Sequence, residues 1–350
     1  MASPIFISFR AAGAGGGVNA AEWYGVKGFA KGYRWRGKTY DNALTPLPAA
    51  ERRARLKGRD VWFVVHGYNC SRDRGIMSLG AAAQEYLGMG VQAAQYAAAR
   101  YAALGSPRPA FDPVEDIIPV LWPGDIQAPA FLSWASYPFE AADVQRTAEE
   151  FRKLLLDPET RPARINFITH SLGARVALDT LREVLARSTS TPPAFGTVLM
   201  MAPAADDTIL DDPRFAGVVK RVERFVILSS FEDWVLEWGF SFGDPVERAL
   251  HWNEKASTRA LGRFGPRLKA GSPATGKVDW FQVRGRVGQG HNDYMAWPWD
   301  TPPTANGWSE KRWRSHRFTR HLGVDHDPDR PDAWREPDDQ IVKREPTVES

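Results

Sequence analysis

Hydrophobic residues recur along this chain in short runs separated by longer stretches of helical spacing. The runs are rich in β-branched and aromatic residues, which is typical of strands buried on both faces of a sheet. They predict strands over residues 5–9, 60–65, 116–122, 164–168, 197–201, 224–228 and 278–283. Helices are predicted over residues 77–104, 139–156 and 174–187. Strands that alternate with helices predict an α/β fold with a mostly parallel, doubly wound sheet.

Three regions depart from this alternation. Residues 23–40 alternate aromatic and polar side chains, which predicts an antiparallel hairpin at the sheet edge within an N-terminal region, 1–58. Residues 234–277 form an aromatic-rich insertion that would suit a cap. Charged residues and prolines dominate 324–350, which predicts a poorly ordered tail. We therefore expect a single domain over residues 1–323.

The amino-acid composition limits the classes of ligand that the protein could bind and the cellular compartment that we expect. The chain has 350 residues, 43% of them apolar, and its net charge of +3 argues against a dedicated nucleic-acid surface. Cys70 is the single cysteine, so no internal disulfide can form and a reducing cytoplasm is the simplest location. No apolar stretch approaches the roughly 20 residues of a membrane span. An acidic cluster in 324–350 lacks the glycine and glutamate of a calcium loop, so we expect no metal site.

The strand over residues 164–168 runs into Thr169-His170-Ser171-Leu172-Gly173, and a helix follows directly. A serine in a sharp turn between a buried strand and a helix has the layout of a nucleophile elbow. The turn lifts the hydroxyl from the sheet, and the helix N-terminus favours negative charge that develops beside it. Ser171 is therefore the candidate nucleophile, with Thr169 at a position where the usual motif has glycine.

A serine hydroxyl needs a base in hydrogen-bond reach, and the base needs an orienting carboxylate. In enzymes with such an elbow, the acid and then the histidine follow the serine along the chain. The acid candidate is Asp233, after the strand over 224–228; Glu232, Asp206 and Asp207 remain competitors, and Asp233 would also suit a helix N-cap. The base candidate is His291, which follows glycines beyond the strand over 278–283.

The turn after the strand over residues 60–65 is the candidate oxyanion hole. Gly67 lets the backbone turn so that the amide of Tyr68 faces the serine, and the amide of Leu172 supplies the second donor. Aromatic residues near these segments suggest an apolar substrate pocket, although they could equally pack a cap against the body. The pocket candidates are His66, Trp134, Tyr137, Trp234 and Trp238.

These motifs resemble the α/β-hydrolase superfamily over roughly residues 60–295. Within it, the chain resembles the DUF900-type bacterial hydrolases through four segments. They are His66-Gly67-Tyr68-Asn69, Trp122-Pro123, His170-Ser171-Leu172-Gly173 and Gly290-His291-Asn292-Asp293-Tyr294. The superfamily resemblance implies an α/β-hydrolase fold, the triad Ser171, Asp233 and His291, and ester hydrolysis. The DUF900 resemblance implies little about the substrate.

The sequence thus predicts a serine hydrolase that cleaves small or polymeric carboxylic esters through an acyl-enzyme, without a metal or organic cofactor. A thioesterase, amidase, lipase, peptidase or acyltransferase would use the same residues. A binding protein that has lost turnover on a hydrolase fold is the alternative from another class. The sequence leaves the oligomeric state open.

Overall fold

The computed structural model describes residues 5–10, 17–26, 44–68, 117–124, 137–189, 191–237, 259–283, 291 and 341–349. The strands are β1 Ile5–Arg10, β2 Val18–Val26, β3 Leu44–Pro46, β4 Asp60–Val65, β5 Ile117–Leu121, β6 Arg164–His170, β7 Ala194–Met201, β8 Arg224–Ser229, β9 Arg267–Lys269, β10 Val278–Val283, β11 Ile341–Arg344 and β12 Thr347–Glu349. The helices are α1 Ala49–Leu56, α2 Tyr137–Leu156, α3 Gly173–Arg187, α4 Ala216–Arg221 and α5 Leu261–Phe264. Two short 3₁₀ turns, Ile209–Asp211 and Pro213–Phe215, precede α4.

Ten of the described strands form one sheet in the order β11-β10-β8-β7-β6-β4-β5-β1-β2-β3. The seven neighbours from β10 to β1 all run parallel. Antiparallel strands close both edges, with β11 on one side and β2 and β3 on the other. The predicted fold class, a mostly parallel sheet with an antiparallel N-terminal edge, is confirmed.

The middle of this sheet is apolar because its strands are covered on both faces. Phe63 of β4 and Phe167 of β6 lie next to each other, and both contact Phe151 of α2 edge-on, with ring centroids 4.8 and 5.9 Å apart. Helix α3 buries a stripe that includes Val176, Leu181 and Val184. This packing fixes the heights at which β4, β6, β7 and β8 end, and those ends carry the candidate site.

The C-terminal segment corrects one prediction. Residues 341–349 belong to the stretch expected to be a poorly ordered tail, yet they form β11 on β10 and β12 on β9. Ion pairs tie them to the body: Lys343 Nζ lies 2.7 Å from Asp279 Oδ1, and Arg267 lies 2.7 Å from Glu349. The strand over 278–283 is therefore not the last one. Residues 324–340 lie outside the described residues.

Two further predictions fall partly on described residues. Of the predicted insertion, residues 259–277 pack on the loops after β7 and β8, where Leu261 donates to the Ala205 carbonyl; residues 238–258 lie outside the description. The helix predicted over 77–104 and most of the hairpin predicted over 23–40 also lie outside it. Among the helices that are described, none has the length and apolar character needed to cross a membrane.

Two histidines are buried where neighbouring central strands end. His66 directly follows β4, and His170 is the last residue of β6. Burial lowers the pKa of each imidazole to about 3, from an ordinary value of 6.5. Both rings are therefore neutral in the folded protein at any pH near neutrality.

We expect the free energy of unfolding to fall as the pH drops from about 7 to 5. Below pH 6.5 the unfolded chain binds a proton at each of these histidines and the folded chain does not, so acid favours unfolding. The slope that each histidine contributes grows as the pH falls through 6.5 and approaches about 1.4 kcal/mol per pH unit near pH 5. Urea unfolding at several pH values measures the slope. His170→Gln should remove one histidine's share of it, and a wild-type stability that stays constant over this range would contradict the neutral burial.

Candidate active site

Ser171 lies at the C-terminal end of β6, in the middle of the sheet, and immediately before the start of α3. Its φ of 51° places it in the left-handed region, and its amide donates to the Met201 carbonyl across a distance of 2.9 Å. A non-glycine residue in this region costs on the order of 1–3 kcal/mol and persists only where the surroundings hold it. Ala202, one residue beyond the end of β7, has a φ of 44°. Two neighbouring parallel strands therefore turn sharply at the same level.

Two glycines permit this turn. A Cβ on Gly173 would lie 2.5 Å from the His66 carbonyl oxygen and 2.7 Å from that of Val65, so the first turn of α3 rests directly on the end of β4. A Cβ on Gly67 would lie 2.8 Å from the Ser171 Cβ and 2.9 Å from His170 Nδ1. Real Cβ atoms do not approach other atoms so closely, and both positions therefore require glycine.

Thr169 stands where the usual elbow has glycine, and the structure accommodates it. The side chain is fully buried between β6 and β7. Its hydroxyl donates to the Leu199 carbonyl over 3.1 Å, so the extra polar group is satisfied. The left-handed conformation of Ser171 is present with this threonine in place.

Asp233 and His291 form a buried pair. The Nδ1–H of His291 donates to Asp233 Oδ2 over 2.8 Å, and the two residues are 8% and 0% exposed. The other carboxylate oxygen, Oδ1, accepts from the Leu236 amide at 3.0 Å and caps the short helix over 234–237. Asp233 thus makes both contacts considered for it from the sequence: it caps a helix and holds an imidazole.

The competing carboxylates have other surroundings. Glu232 is exposed. Asp207 is buried, and its oxygens lie 3.2 Å from Arg259 and 3.2 Å from Arg267. Asp206 forms a backbone bridge with Ala260.

His170 joins this pair to the serine. Its Nε2–H donates to the backbone carbonyl of His291 over 2.7 Å, and the two rings pack with centroids 4.8 Å apart at an angle of 53°. Because His170 is bonded covalently to Ser171, the structure brings the alcohol, the imidazole and the carboxylate to one end of the sheet. Ser171 itself is only 6% exposed. The sequence did not predict the contact made by His170.

His66 was considered as a pocket residue, and the structure corrects that view. Its Nδ1–H donates to the Gly67 carbonyl at 2.7 Å, and its Nε2 accepts from the Trp122 amide at 3.2 Å. The Trp122 indole donates to the His66 carbonyl at 2.8 Å and stacks on the ring. Both ring nitrogens are thus bonded to backbone groups. His66 connects the loop after β4 to the loop after β5 and has no polar edge left for a substrate.

The two candidate oxyanion donors lie at neighbouring strand ends. Tyr68 follows Gly67 in the loop after β4, and Leu172 is the residue between Ser171 and the first residue of α3. The first amides of a helix have no partner within the helix. Both amides stay candidates for the stabilisation of negative charge beside Ser171, which the positive end of the α3 dipole would also favour.

Of the other pocket candidates, Trp234 is 55% exposed and follows Asp233 directly. Phe231, two residues before Asp233, is 44% exposed. Tyr137 begins α2, but its side chain is outside the description, as are Trp134 and Trp238. Among the described residues, no group of three or more His, Cys, Asp and Glu side chains is arranged to hold a metal ion.

Comparison with known proteins agrees with this architecture. Residues 50–260 match a family described as "Alpha/beta hydrolase of unknown function (DUF900)". No curated protein matches the chain. The matched region covers more than half of the chain and contains β4, the serine turn and Asp233. The protein belongs to the DUF900 family of α/β hydrolases.

Proposed function

We propose that this protein is a serine hydrolase that cleaves carboxylic esters through an acyl-enzyme intermediate. The observation that carries the proposal is the buried Asp233–His291 pair, which is hydrogen-bonded to His170, the residue next to Ser171. A strained serine at the start of a helix, a buried imidazole and a fully buried carboxylate are the three groups that this chemistry needs. Membership of an α/β-hydrolase family supports the same reaction class.

In the first half of the reaction, the Ser171 hydroxyl attacks the acyl carbonyl while Nε2 of His291 takes its proton. The Nδ1–H of His291 donates to Asp233, and this bond selects the tautomer whose Nε2 is free to accept a proton. The buried carboxylate also stabilises the imidazolium that forms. His291 then gives the proton to the leaving alcohol, and Ser171 carries the acyl group.

In the second half, water attacks the acyl-enzyme with His291 again as base, and the acid product leaves. In both halves the carbonyl oxygen gains negative charge. We assign its stabilisation to the amides of Tyr68 and Leu172, and one such donor typically contributes about 3–4 kcal/mol to the transition state. The groups named here supply every proton transfer, so the proposed reaction needs neither a metal nor an organic cofactor.

The exposed aromatic residues next to the acid suggest the leaving or acyl group that this site accepts. Trp234 and Phe231 flank Asp233 and leave large apolar surfaces in contact with solvent. A substrate chain that covers such surface gains about 25 cal/mol for each Å² removed from water. We therefore propose an ester with an apolar chain as the substrate class, in line with a carboxylesterase or lipase.

Covalent labelling tests the nucleophile without knowledge of the substrate. We expect a fluorophosphonate probe to label the wild-type protein and to leave Ser171→Ala unlabelled, because the probe reacts only with an activated serine. Ser188→Ala, at the other end of α3, is the matched control and should label normally. Intact-mass analysis measures the adduct, and a folded wild-type protein that takes no label would sink the proposal.

The strain at Ser171 provides a stability test. Glycine adopts a φ near 51° without steric cost, so Ser171→Gly should be about 1 kcal/mol more stable than Ser171→Ala. Ala202→Gly should stabilise for the same reason, whereas Ala177→Gly inside α3 should destabilise by about 1 kcal/mol. Urea unfolding of the four variants measures these differences. Equal stability of the two Ser171 variants would contradict a strained elbow.

A series of p-nitrophenyl esters of increasing acyl length tests the substrate class. We expect kcat/KM to rise with chain length, and Trp234→Ala to remove most of that rise while activity on the acetate ester changes little. Val348→Ala, an exposed apolar residue on β12, is the control. His291→Ala should lower activity on every ester by at least roughly 10³-fold. Activity that is independent of chain length would contradict the apolar pocket.

A further inference from the structure

We propose that His170 is a positioning residue that holds the base at a fixed distance from the nucleophile by binding the backbone carbonyl of His291. This inference rests on the proposed function, since it assigns to His291 the part of general base. It concerns a residue that the proposed reaction does not otherwise use, and it predicts which feature of the His170 side chain matters.

The contact between His170 and His291 has a rigid support. His170 ends β6, the central strand of the sheet, and is 6% exposed, so its side chain has a rigid support. Its Nε2 reaches the carbonyl oxygen of a residue 121 positions further along the chain, at 2.7 Å. A buried histidine that makes a single well-formed bond to a distant main-chain oxygen sets the position of that main chain.

The bond to Asp233 does not by itself fix the orientation of the His291 ring. Asp233 holds His291 only at Nδ1, and one hydrogen bond permits the ring to pivot about that contact. The bond from His170 holds the same residue at its backbone, and the packing of the two rings at 4.8 Å limits the remaining rotation. The residue is thus held at its side chain and at its backbone, by groups from two different strand ends.

His170 is also linked covalently to Ser171, the proposed nucleophile. Ser171 follows His170 directly, so any movement of the His291 backbone away from the serine must break the bond to His170. A displacement of about 1 Å between reacting groups can cost roughly 10²-fold in rate. The bond therefore protects the proton-transfer distance, although His170 does not touch the reacting atoms.

The protonation state of His170 is consistent with this task. Burial, and then the neighbouring His291, lower the pKa of the His170 imidazole to about 3. A neutral ring has one N–H, and the bond to the carbonyl places it on Nε2. A charged ring at this position would oppose proton uptake by His291, whereas the neutral ring does not.

Three substitutions separate the hydrogen bond from the bulk of the side chain. The amide nitrogen of glutamine can occupy the place of Nε2, so His170→Gln keeps the donor. His170→Asn ends at the place of Nδ1 and cannot reach the carbonyl, and His170→Phe keeps a ring without a donor. On the ester that the wild type hydrolyses best, we expect His170→Gln to retain kcat within about threefold. The two donor-free variants should lose roughly 10- to 100-fold in kcat with little change in KM.

A second readout follows His291 without any turnover. In the wild type, the Nδ1 proton shared with Asp233 should give a far-downfield proton NMR resonance, assigned by its loss in His291→Ala. His170→Gln should keep this resonance, whereas His170→Asn and His170→Phe should broaden or shift it. Urea unfolding of each variant confirms that it is folded, and either donor-free variant suffices if the other fails to fold.

The outcomes distinguish this inference from the proposed function. If the resonance and kcat are the same in the glutamine and donor-free variants, the positioning role is wrong even though labelling at Ser171 succeeds. If the resonance depends on the donor but no probe labels Ser171, His170 still positions His291, whereas the hydrolase proposal fails and with it the part of general base given to His291. Loss of the resonance in His170→Gln would also overturn the inference.

Discussion

The arrangement around Ser171 depends on how closely the backbone after β4 approaches the turn after β6. Gly67 and Gly173 lie at this contact, and neither position has space for a methyl group. The contact sets Ser171, the amide of Tyr68 and the start of α3 at one height on the sheet. Asp233 and His291 then lie at the same end of the sheet as Ser171, whose position the neighbouring main chains have already determined.

This contact is built at a cost to stability. Ser171 occupies a backbone region that favours glycine, and Ala202 beside it does the same. His66 and His170 are buried without charge, which makes folding sensitive to acid. The apolar core formed by the middle strands and by α2 and α3 has to offset these terms, and the candidate site lies at the ends of those strands.

The parts of the fold that the sequence predicted well are those whose signal is local. The strand over residues 60–65 has the predicted bounds because an uninterrupted apolar run has no stable alternative outside a buried sheet. Residues 341–349 were missed because edge strands bury little and are charged here; their pairing depends on β9 and β10, which a local pattern does not reveal. The serine turn could be predicted because the residues that form it are consecutive in the sequence.

The candidate site depends on contacts between residues that are far apart in the sequence, and local patterns do not reveal these contacts. Several carboxylates after β7 and β8 were possible acids, since a helix cap and an orienting acid call for the same residue type. The contact to His291 distinguishes Asp233 from the others. The bond from His170 could not be foreseen, because nothing in a histidine's own neighbourhood identifies a carbonyl 121 residues away. A histidine at the buried C-terminal end of a central strand was the available signal.

The short turn that carries Asp233 also carries Phe231 and Trp234, whose side chains are both exposed. One oxygen of the Asp233 carboxylate caps this turn. A change in the backbone conformation of the turn would therefore also change the orientation of the carboxylate. For protein engineering this couples two traits that are usually altered separately. Side-chain substitutions at Trp234 that keep the backbone of the turn would leave the acid in place, whereas insertions or deletions in the turn would displace it and be tolerated least. Selection for new substrates should therefore accumulate substitutions in this turn and no changes in its length.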